Sequence, residues 1–126
     1  MGTFKHRIEL AATTEGPFRG LYALVDTGSV YTWVPGRILR ELGVSAIDQY
    51  DFEMANGERI PRQRGEAVIR LDGRVFHTIC VFGDESDQVL LGAVTLEQFA
   101  LSVDPVKKRL VPMPELPVAG AAPASN

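Results

Sequence analysis

One aspartate most constrains how this chain of 126 residues can fold, because it stands at the end of an apolar segment. Residues 21–25 are typical of a buried strand, and Asp-Thr-Gly-Ser follows immediately at 26–29. A carboxylate at the end of a buried strand costs free energy unless a partner satisfies it or a reaction uses it. Because residues 31–34 are apolar as well, an ordinary surface turn, which Asp-Thr-Gly would suit, is the weaker interpretation.

The chemistry that suits this aspartate is hydrolysis of an amide bond by two carboxylates and one water. Two aspartates about 3 Å apart cannot both ionise, so they share one proton. The charged member takes a proton from water, and the neutral member donates a hydrogen bond to the carbonyl under attack. The chain has a single Asp-Thr-Gly, so a two-fold axis between two copies of Asp26 would supply the second carboxylate. Four further aspartates lie in predicted turns or loops: Asp72, Asp84, Asp87 and Asp104.

The residues next to Asp26 suit the same chemistry. Gly28 lets the chain turn sharply and brings backbone N–H groups near the carboxylate. Ser29 can hydrogen-bond the outer carboxylate oxygen, and the hydroxyl of Thr27 can reach the opposing copy. These residue types therefore favour a functional aspartate over a turn.

The rest of the sequence predicts a β-rich domain. Alternating polar and apolar residues over 3–10 predict a half-buried strand, and residues 37–43 predict a short helix that ends at Gly43. Two hairpins follow, with two-residue turns at 56–57 (Asn-Gly) and 72–73 (Asp-Gly). Polar flanks predict that the first hairpin projects from the body, whereas residues 21–25 and 74–82 are predicted to be buried on both faces.

Composition narrows the function classes. Apolar residues make up 45% of the chain, enough for a core, and a net charge of −3 without a basic block argues against a nucleic-acid binder. No segment approaches the roughly 20 apolar residues of a membrane span. The single cysteine, Cys80, lies in an apolar run and is predicted to be a buried hydrophobe. Without a disulfide framework, a reducing, cytoplasmic location is expected.

Three segments in order resemble the retropepsin-like single-domain aspartic proteases, and most of all the small prokaryotic subgroup of that clan. They are ALVDTGSVYTWVP, MANGERIP and VLLGAVTLEQFALSVDPVKKRLVP, which lie between residues 21 and 112. The resemblance implies an all-β fold, a closed β-barrel with one short C-terminal helix. It also implies an obligate homodimer without metal or organic cofactor.

The resemblance also assigns roles to individual residues. It implies that Asp26 is catalytic within the triplet completed by Thr27 and Gly28, and that the hairpin at 55–57 is the flap that closes over substrate. For Trp33, two roles are open, a substrate contact or a core residue. Supporting roles are implied for Ser29, Leu91 and Gly92, and substrate contacts are expected from Val30, Trp33, Ala55, Asn56, Gly57, Ile60 and Val89.

We therefore predict a protease domain over residues 1–112 and a flexible Pro/Ala-rich tail over 113–126. The predicted activity is that of an aspartic endopeptidase, which acts as a homodimer on peptide or protein substrates and binds neither nucleic acid nor membrane. One alternative is a catalytically inactive dimerisation or peptide-binding module on the same fold. Another is a monomeric all-β binding domain in which Asp-Thr-Gly is a chance turn.

Overall fold

The computed structural model describes residues 3–116 and 118–120, which contain nine strands and two short helices. The strands are β1 (Lys5–Ala11), β2 (Arg19–Val25), β3 (Thr32–Pro35), β4 (Ala46–Glu53), β5 (Arg59–Leu71), β6 (Arg74–Gly83), β7 (Leu90–Leu91), β8 (Leu101–Asp104) and β9 (Arg109–Pro112). The helices are α1 (Gly36–Leu42) and α2 (Ala93–Gln98).

Six strands close into a barrel. They are hydrogen-bonded in the order β1-β2-β7-β3-β6-β5, and β5 pairs back onto β1 to complete the ring. Closure leaves no free edge among these six strands. Among the described strands, β4 pairs only with β5, and β8 and β9 form a separate antiparallel pair. The predicted all-β closed barrel with a short C-terminal helix, α2, is confirmed, as is the helix predicted at 37–43.

Alternate apolar side chains fill the barrel, as the two-residue period of a strand requires. Ile8 and Leu10 of β1 and Ala23 and Val25 of β2 are all buried in one core cluster. The prediction that residues 21–25 are buried on both faces is wrong, because Tyr22 is 65% exposed on the outside of the barrel.

The hairpin between β5 and β6 turns as predicted. Leu71 pairs with Arg74, and the two residues between them, Asp72 and Gly73, both have positive φ (50° and 85°), as a type I′ turn requires. The prediction that all of β6 lies in the core is wrong. Its first part, residues 74–77, is exposed, and only from Thr78 onward does β6 enter the barrel.

The hairpin between β4 and β5 projects from the barrel as predicted, but its turn differs. Only Gly57 has positive φ (88°), and its N–H donates to the carbonyl of Met54 at 2.9 Å. Asn56 acts through its side chain, whose Oδ1 accepts from the N–H of Glu58 at 2.9 Å. The connection is therefore a longer turn with a single left-handed residue, rather than the predicted two-residue turn.

Cys80 lies wholly inside the barrel, as predicted. Burial raises the pKa of its thiol to about 12, so the thiol is protonated at neutral pH and unreactive as a nucleophile. Among the described residues, no helix is long and apolar enough to cross a membrane.

The chain after β9 forms no helix or strand at 113–116 and 118–120. Residue 117 and residues 121–126, which belong to the predicted tail, lie outside the described residues. Met113 extends the β8–β9 pair by one bond, because its N–H donates to the carbonyl of Ala100 at 2.8 Å.

Candidate active site

Asp26 is fixed at the point where β2 leaves the sheet. Its backbone N–H donates to the carbonyl of Leu91 at 3.0 Å, which continues the parallel pairing of β2 with β7. Its side-chain Oδ1 accepts from the N–H of Gly28 at 3.0 Å, and its carbonyl accepts from the N–H of Ser29 at 3.1 Å. Within the described part of the chain, the Gly28 N–H is the only group that hydrogen-bonds this carboxylate.

In the single chain, Ser29 stabilises the loop and does not hydrogen-bond the Asp26 carboxylate. Its hydroxyl donates to the carbonyl of Tyr31 at 2.8 Å, and so does not reach Asp26 as the sequence suggested. Thr27 is exposed beside it, with its hydroxyl available to a group outside the chain.

The start of helix α2 supports the loop at 26–31 from below. The N–H of Ala93 donates to the carbonyl of Ser29 at 2.8 Å, and that of Val94 donates to the carbonyl of Val30 at 2.9 Å. Gly92 is essential to this contact, because a Cβ there would overlap the backbone carbonyl of Tyr31 and lie 2.9 Å from the Ser29 oxygen. The loop is therefore held by backbone groups on its inner side.

Three buried threonine hydroxyls tie the same region together. The Oγ1 atoms of Thr32 and Thr95 lie 2.7 Å apart, and those of Thr78 and Thr95 lie 2.8 Å apart. Thr32 Oγ1 also accepts from the N–H of Gly92 at 3.1 Å. The network joins β3, β6 and α2 where no solvent can replace a lost partner, since all three threonines are buried.

Replacing Thr95 with Val is expected to lower the free energy of unfolding by about 1–3 kcal/mol, because two buried hydroxyls lose their shared partner. Chemical denaturation of the variant measures the loss. Thr14→Val, at an exposed threonine in a loop, is the matched control and should stay within about 0.5 kcal/mol of wild type. Equal stability of the two variants would contradict the network.

A cleft of about 910 Å³ lies between the Asp26 loop and the β4–β5 hairpin. Trp33 on β3 packs edge-on against Phe52 of the hairpin, with ring centres 5.3 Å apart. Tyr31 and Tyr50 contact the same phenylalanine at 6.5 Å and 6.3 Å. Aromatic walls with a few polar groups are typical of a site that binds an organic ligand.

The structure brings most of the predicted site residues into this cleft. The lining includes Asp26, Gly28, Ser29, Val30, Trp33, Ala55, Asn56 and Ile60. Trp33 is half-buried and outside the core cluster, so it lies in the cleft wall rather than in the core.

Five predicted residues do not line the cleft. Leu91 and Gly92 are buried beneath the loop, and Thr27 is exposed on it. Gly57 lies at the tip of the β4–β5 hairpin, with open space around its α-carbon. Val89 packs against the core, and its neighbour Leu90 lines the cleft instead.

Sequence reasoning predicted Ile60 on the inner face of the β4–β5 hairpin but missed Phe52 and Arg62 on the same face. Phe52, Ile60 and Arg62 are half-buried while their neighbours along each strand are exposed, so even-numbered residues face the cleft. The two-residue period of the strands carried this signal, with Tyr50 and Phe52 on the same face. The many charged residues between them concealed it.

Arg62 gives the cleft its one lining cation among the described residues. Its Nη2 donates to Asp84 Oδ2 at 2.9 Å and its Nη1 to the carbonyl of Pro61 at 2.8 Å. This ion pair links the hairpin to the acidic loop at 84–88. Asp87 is engaged within that loop, where its Oδ2 accepts from the N–H of Asp84.

Comparison with solved structures identifies proteins of similar fold. No protein-family model matches the sequence, and no curated protein matches it either. Among solved structures, EIAV protease in complex with the inhibitor HBY-793 matches with a TM-score of 0.63 and 16% identity, over 78% of this chain and 88% of that one. The simian foamy virus (mac) protease matches with a TM-score of 0.56 and 17% identity, over 76% of this chain and 94% of that one. A retropepsin-like aspartic protease from Rickettsia conorii matches with a TM-score of 0.51 and 22% identity, over 82% of this chain and 88% of that one.

The chain has a retropepsin-like fold. The fold that the three sequence segments resemble is therefore confirmed. Identities of 16–22% establish the fold alone, so the function must be argued from the site. On this retropepsin-like barrel, Asp26 and residues of the β4–β5 hairpin line the same cleft.

Proposed function

We propose that the protein is an aspartic endopeptidase that is active as a homodimer. The observation that carries this proposal is that Asp26 lines a cleft of about 910 Å³ in a retropepsin-like fold. Its backbone is fixed on both sides, by Leu91 and by Ser29, so the carboxylate is positioned before any substrate arrives.

The dimer follows from the need for a second carboxylate. The chain has a single Asp-Thr-Gly, so one chain supplies one such carboxylate. In that chain Asp26 is half-buried, while Thr27, Gly28 and Val30 on the same loop are exposed. Val30 on this loop is 60% exposed, so a second subunit could cover it. A two-fold axis beside this loop would cover these residues and bring two copies of Asp26 together.

In the proposed reaction the two Asp26 carboxyl groups hold one proton and one water between them. The ionised carboxylate takes a proton from the water as its oxygen attacks the carbonyl carbon of the peptide bond. The protonated partner gives its proton to the developing oxyanion, which forms a neutral gem-diol. Transfer of a proton to the amide nitrogen and collapse of the gem-diol then break the C–N bond, and an acid and an amine leave.

The cleft suits an extended peptide. Main-chain groups of such a peptide can bond to the loop and to the hairpin, while alternate side chains enter apolar pockets. The aromatic walls formed by Tyr31, Trp33 and Phe52 favour apolar residues beside the cleaved bond. EIAV protease, which shares this fold, is known in complex with the inhibitor HBY-793, which supports a ligand-binding role for the fold.

We further propose that residues 1–112 form the catalytic domain and that 113–126 are a flexible extension. The single cysteine is buried and forms no disulfide, which supports a reducing, cytoplasmic setting.

A statine-type peptide, which mimics the gem-diol, is expected to inhibit cleavage and to bind with one molecule per two chains. The reason is that one active site would need a carboxylate from each of two subunits. Isothermal titration calorimetry combined with light scattering measures the stoichiometry and the mass of the complex.

Three outcomes of this titration bear on the proposal differently. One inhibitor bound per single chain would contradict the shared site. A dimer that binds no inhibitor and cleaves no unfolded protein would favour the inactive dimerisation or peptide-binding module. A chain that stays monomeric with saturating inhibitor would favour the simple β-domain.

A further inference from the structure

Arg64 contacts both the strand β4 and the end of the Asp26 loop. It lies on β5, directly opposite Asp48 on β4, and its side chain is only 20% exposed. The guanidinium forms a two-pronged ion pair with Asp48, with Nε–Oδ1 at 2.9 Å and Nη2–Oδ2 at 2.6 Å. This geometry fixes the plane of the guanidinium as well as its position.

The same guanidinium lies against two tyrosines of the cleft wall. Its central carbon lies 4.8 Å from the ring centre of Tyr50 and 5.5 Å from that of Tyr31. Its Nη1 also donates to the hydroxyl of Tyr31 at 3.3 Å. Cation–π contacts with these two rings add to the ion pair, so the cluster holds together as a unit.

Tyr31 connects this cluster to the catalytic loop. Its carbonyl accepts the hydroxyl of Ser29, and the loop at 26–31 ends at this residue before β3 begins. Tyr50 and Asp48 lie two residues apart on one face of β4, next to Phe52, which packs on Trp33. Arg64 is thus in contact with the hairpin on one side and the end of the Asp26 loop on the other.

Asp48 is well suited to hold this arginine under acidic conditions. The hydrogen bonds and charge of Arg64 lower the pKa of the Asp48 carboxyl below its usual value. A lowered pKa means that the pair is intact above the ordinary titration range of an aspartate and is lost only as the pH falls below it. The link therefore persists at mildly acidic pH.

We propose that Arg64 is a positioning residue that sets the distance between the β4–β5 hairpin and the Asp26 loop, and so sets how tightly the cleft binds a peptide. Arginine is required because a lysine has neither the planar fork that matches a carboxylate nor the flat face that packs on tyrosine rings. The effect on peptide binding rests on the proposed peptidase function. The effect on hairpin position does not.

The test uses Arg64→Lys, which keeps the charge, and Asp48→Asn, which removes the partner instead. Arg59→Lys is the matched control, because Arg59 is exposed on the same strand and no other described residue forms a hydrogen bond or ion pair with its side chain. Circular dichroism and thermal unfolding first establish that each variant is folded at the temperature of the measurement.

Trp33 provides a readout that needs no substrate. It is the only tryptophan of the chain, and it packs against Phe52 of the hairpin. In Arg64→Lys and in Asp48→Asn, we expect the emission of Trp33 to shift to longer wavelength and its quenching by acrylamide to increase, because the hairpin moves away from the indole. Arg59→Lys should leave both unchanged.

Kinetics with a cleavable peptide give the second readout. The hairpin contacts ground state and transition state alike, so we expect KM to rise about tenfold in Arg64→Lys while kcat stays within about twofold. A variant that was merely less stable would show neither the KM increase nor the spectral shift once it is folded.

Each outcome decides the proposal. Unchanged Trp33 emission and KM in folded Arg64→Lys would overturn it, as would equal changes in Arg59→Lys. If no peptide is cleaved by any form, the peptidase proposal fails, while the Trp33 measurements still decide whether Arg64 positions the hairpin.

Discussion

Replacing Asp26 with Asn is expected to abolish peptide cleavage while leaving the fold intact. An amide cannot take a proton from water or carry the shared proton of the pair, so the loss should be at least about 10²–10⁴-fold. The Asn side chain still has an Oδ1 that can accept from the N–H of Gly28, as the Asp26 Oδ1 does at 3.0 Å in the wild type. This hydrogen bond holds the loop in place. Since Asp26 is only half-buried, the free energy of unfolding should change by about 0.5 kcal/mol or less.

The measurement is cleavage of an unfolded protein or a peptide library, with circular dichroism and light scattering on the same samples. Glu85→Gln, at an exposed residue of the acidic loop that does not line the cleft, removes a carboxylate elsewhere and should leave the rate unchanged. Mixing wild-type and Asp26→Asn chains should reduce activity as the square of the wild-type fraction, because a mixed dimer has one functional carboxylate. Cleavage that survives the substitution would remove the proposed mechanism.

The sequence predicted those parts of the fold that depend on local chemistry. The Asp72-Gly73 turn was predicted correctly because two adjacent residues with positive φ suffice to define it. The Asn56-Gly57 turn was not, because the same dipeptide also suits a longer turn in which the asparagine side chain bonds to the backbone. Such dipeptides predict that the chain turns at these positions, but the pairing of the strands decides which type of turn forms.

Burial was harder to predict than strand position. Tyr22 lies in an apolar run and yet faces solvent, because hydrophobicity alone does not tell which face of a strand meets the core. Residues 74–77 are exposed for another reason, since β6 extends beyond the barrel before it enters. Both errors arise from tertiary arrangement, which a run of apolar letters does not contain.

Within the site, Asp26 could be found from sequence because its chemistry is unusual at the end of a buried strand. Arg64 could not, because its importance comes from the register that places Asp48 opposite it and from the approach of Tyr31 at the end of the Asp26 loop. An arginine among several charged residues of a hairpin has no distinguishing local signal. Residues that act through their partners therefore require the structure.

The second large effect is expected at Gly92, where the site is supported from below. Gly92→Ala should lower the free energy of unfolding by about 3 kcal/mol or more, at or beyond the upper end of the cost of overpacking. The backbone of Gly92 has φ −93° and ψ 174°, which any residue adopts, so the cost comes from the methyl group alone. That methyl would press on the carbonyl of Tyr31 and on the oxygen of Ser29, and backbone atoms held in a closed barrel cannot move aside as a side chain can.

Relief of this overlap would separate α2 from the loop and break the bonds from Ala93 to Ser29 and from Val94 to Val30. Cleavage should therefore be lost even under conditions in which the variant remains folded. Urea unfolding measures the stability, and the peptide assay measures the activity. Gly73→Ala is the control, because its cost comes from the backbone rather than from overlap. The φ of 85° at Gly73 is strained for alanine, at a cost of about 1–2 kcal/mol. A methyl group there meets no atom within 4 Å, and the turn does not line the cleft. If Gly92→Ala were as active and as stable as Gly73→Ala, the close packing of α2 beneath Asp26 would not be what holds the carboxylate in place.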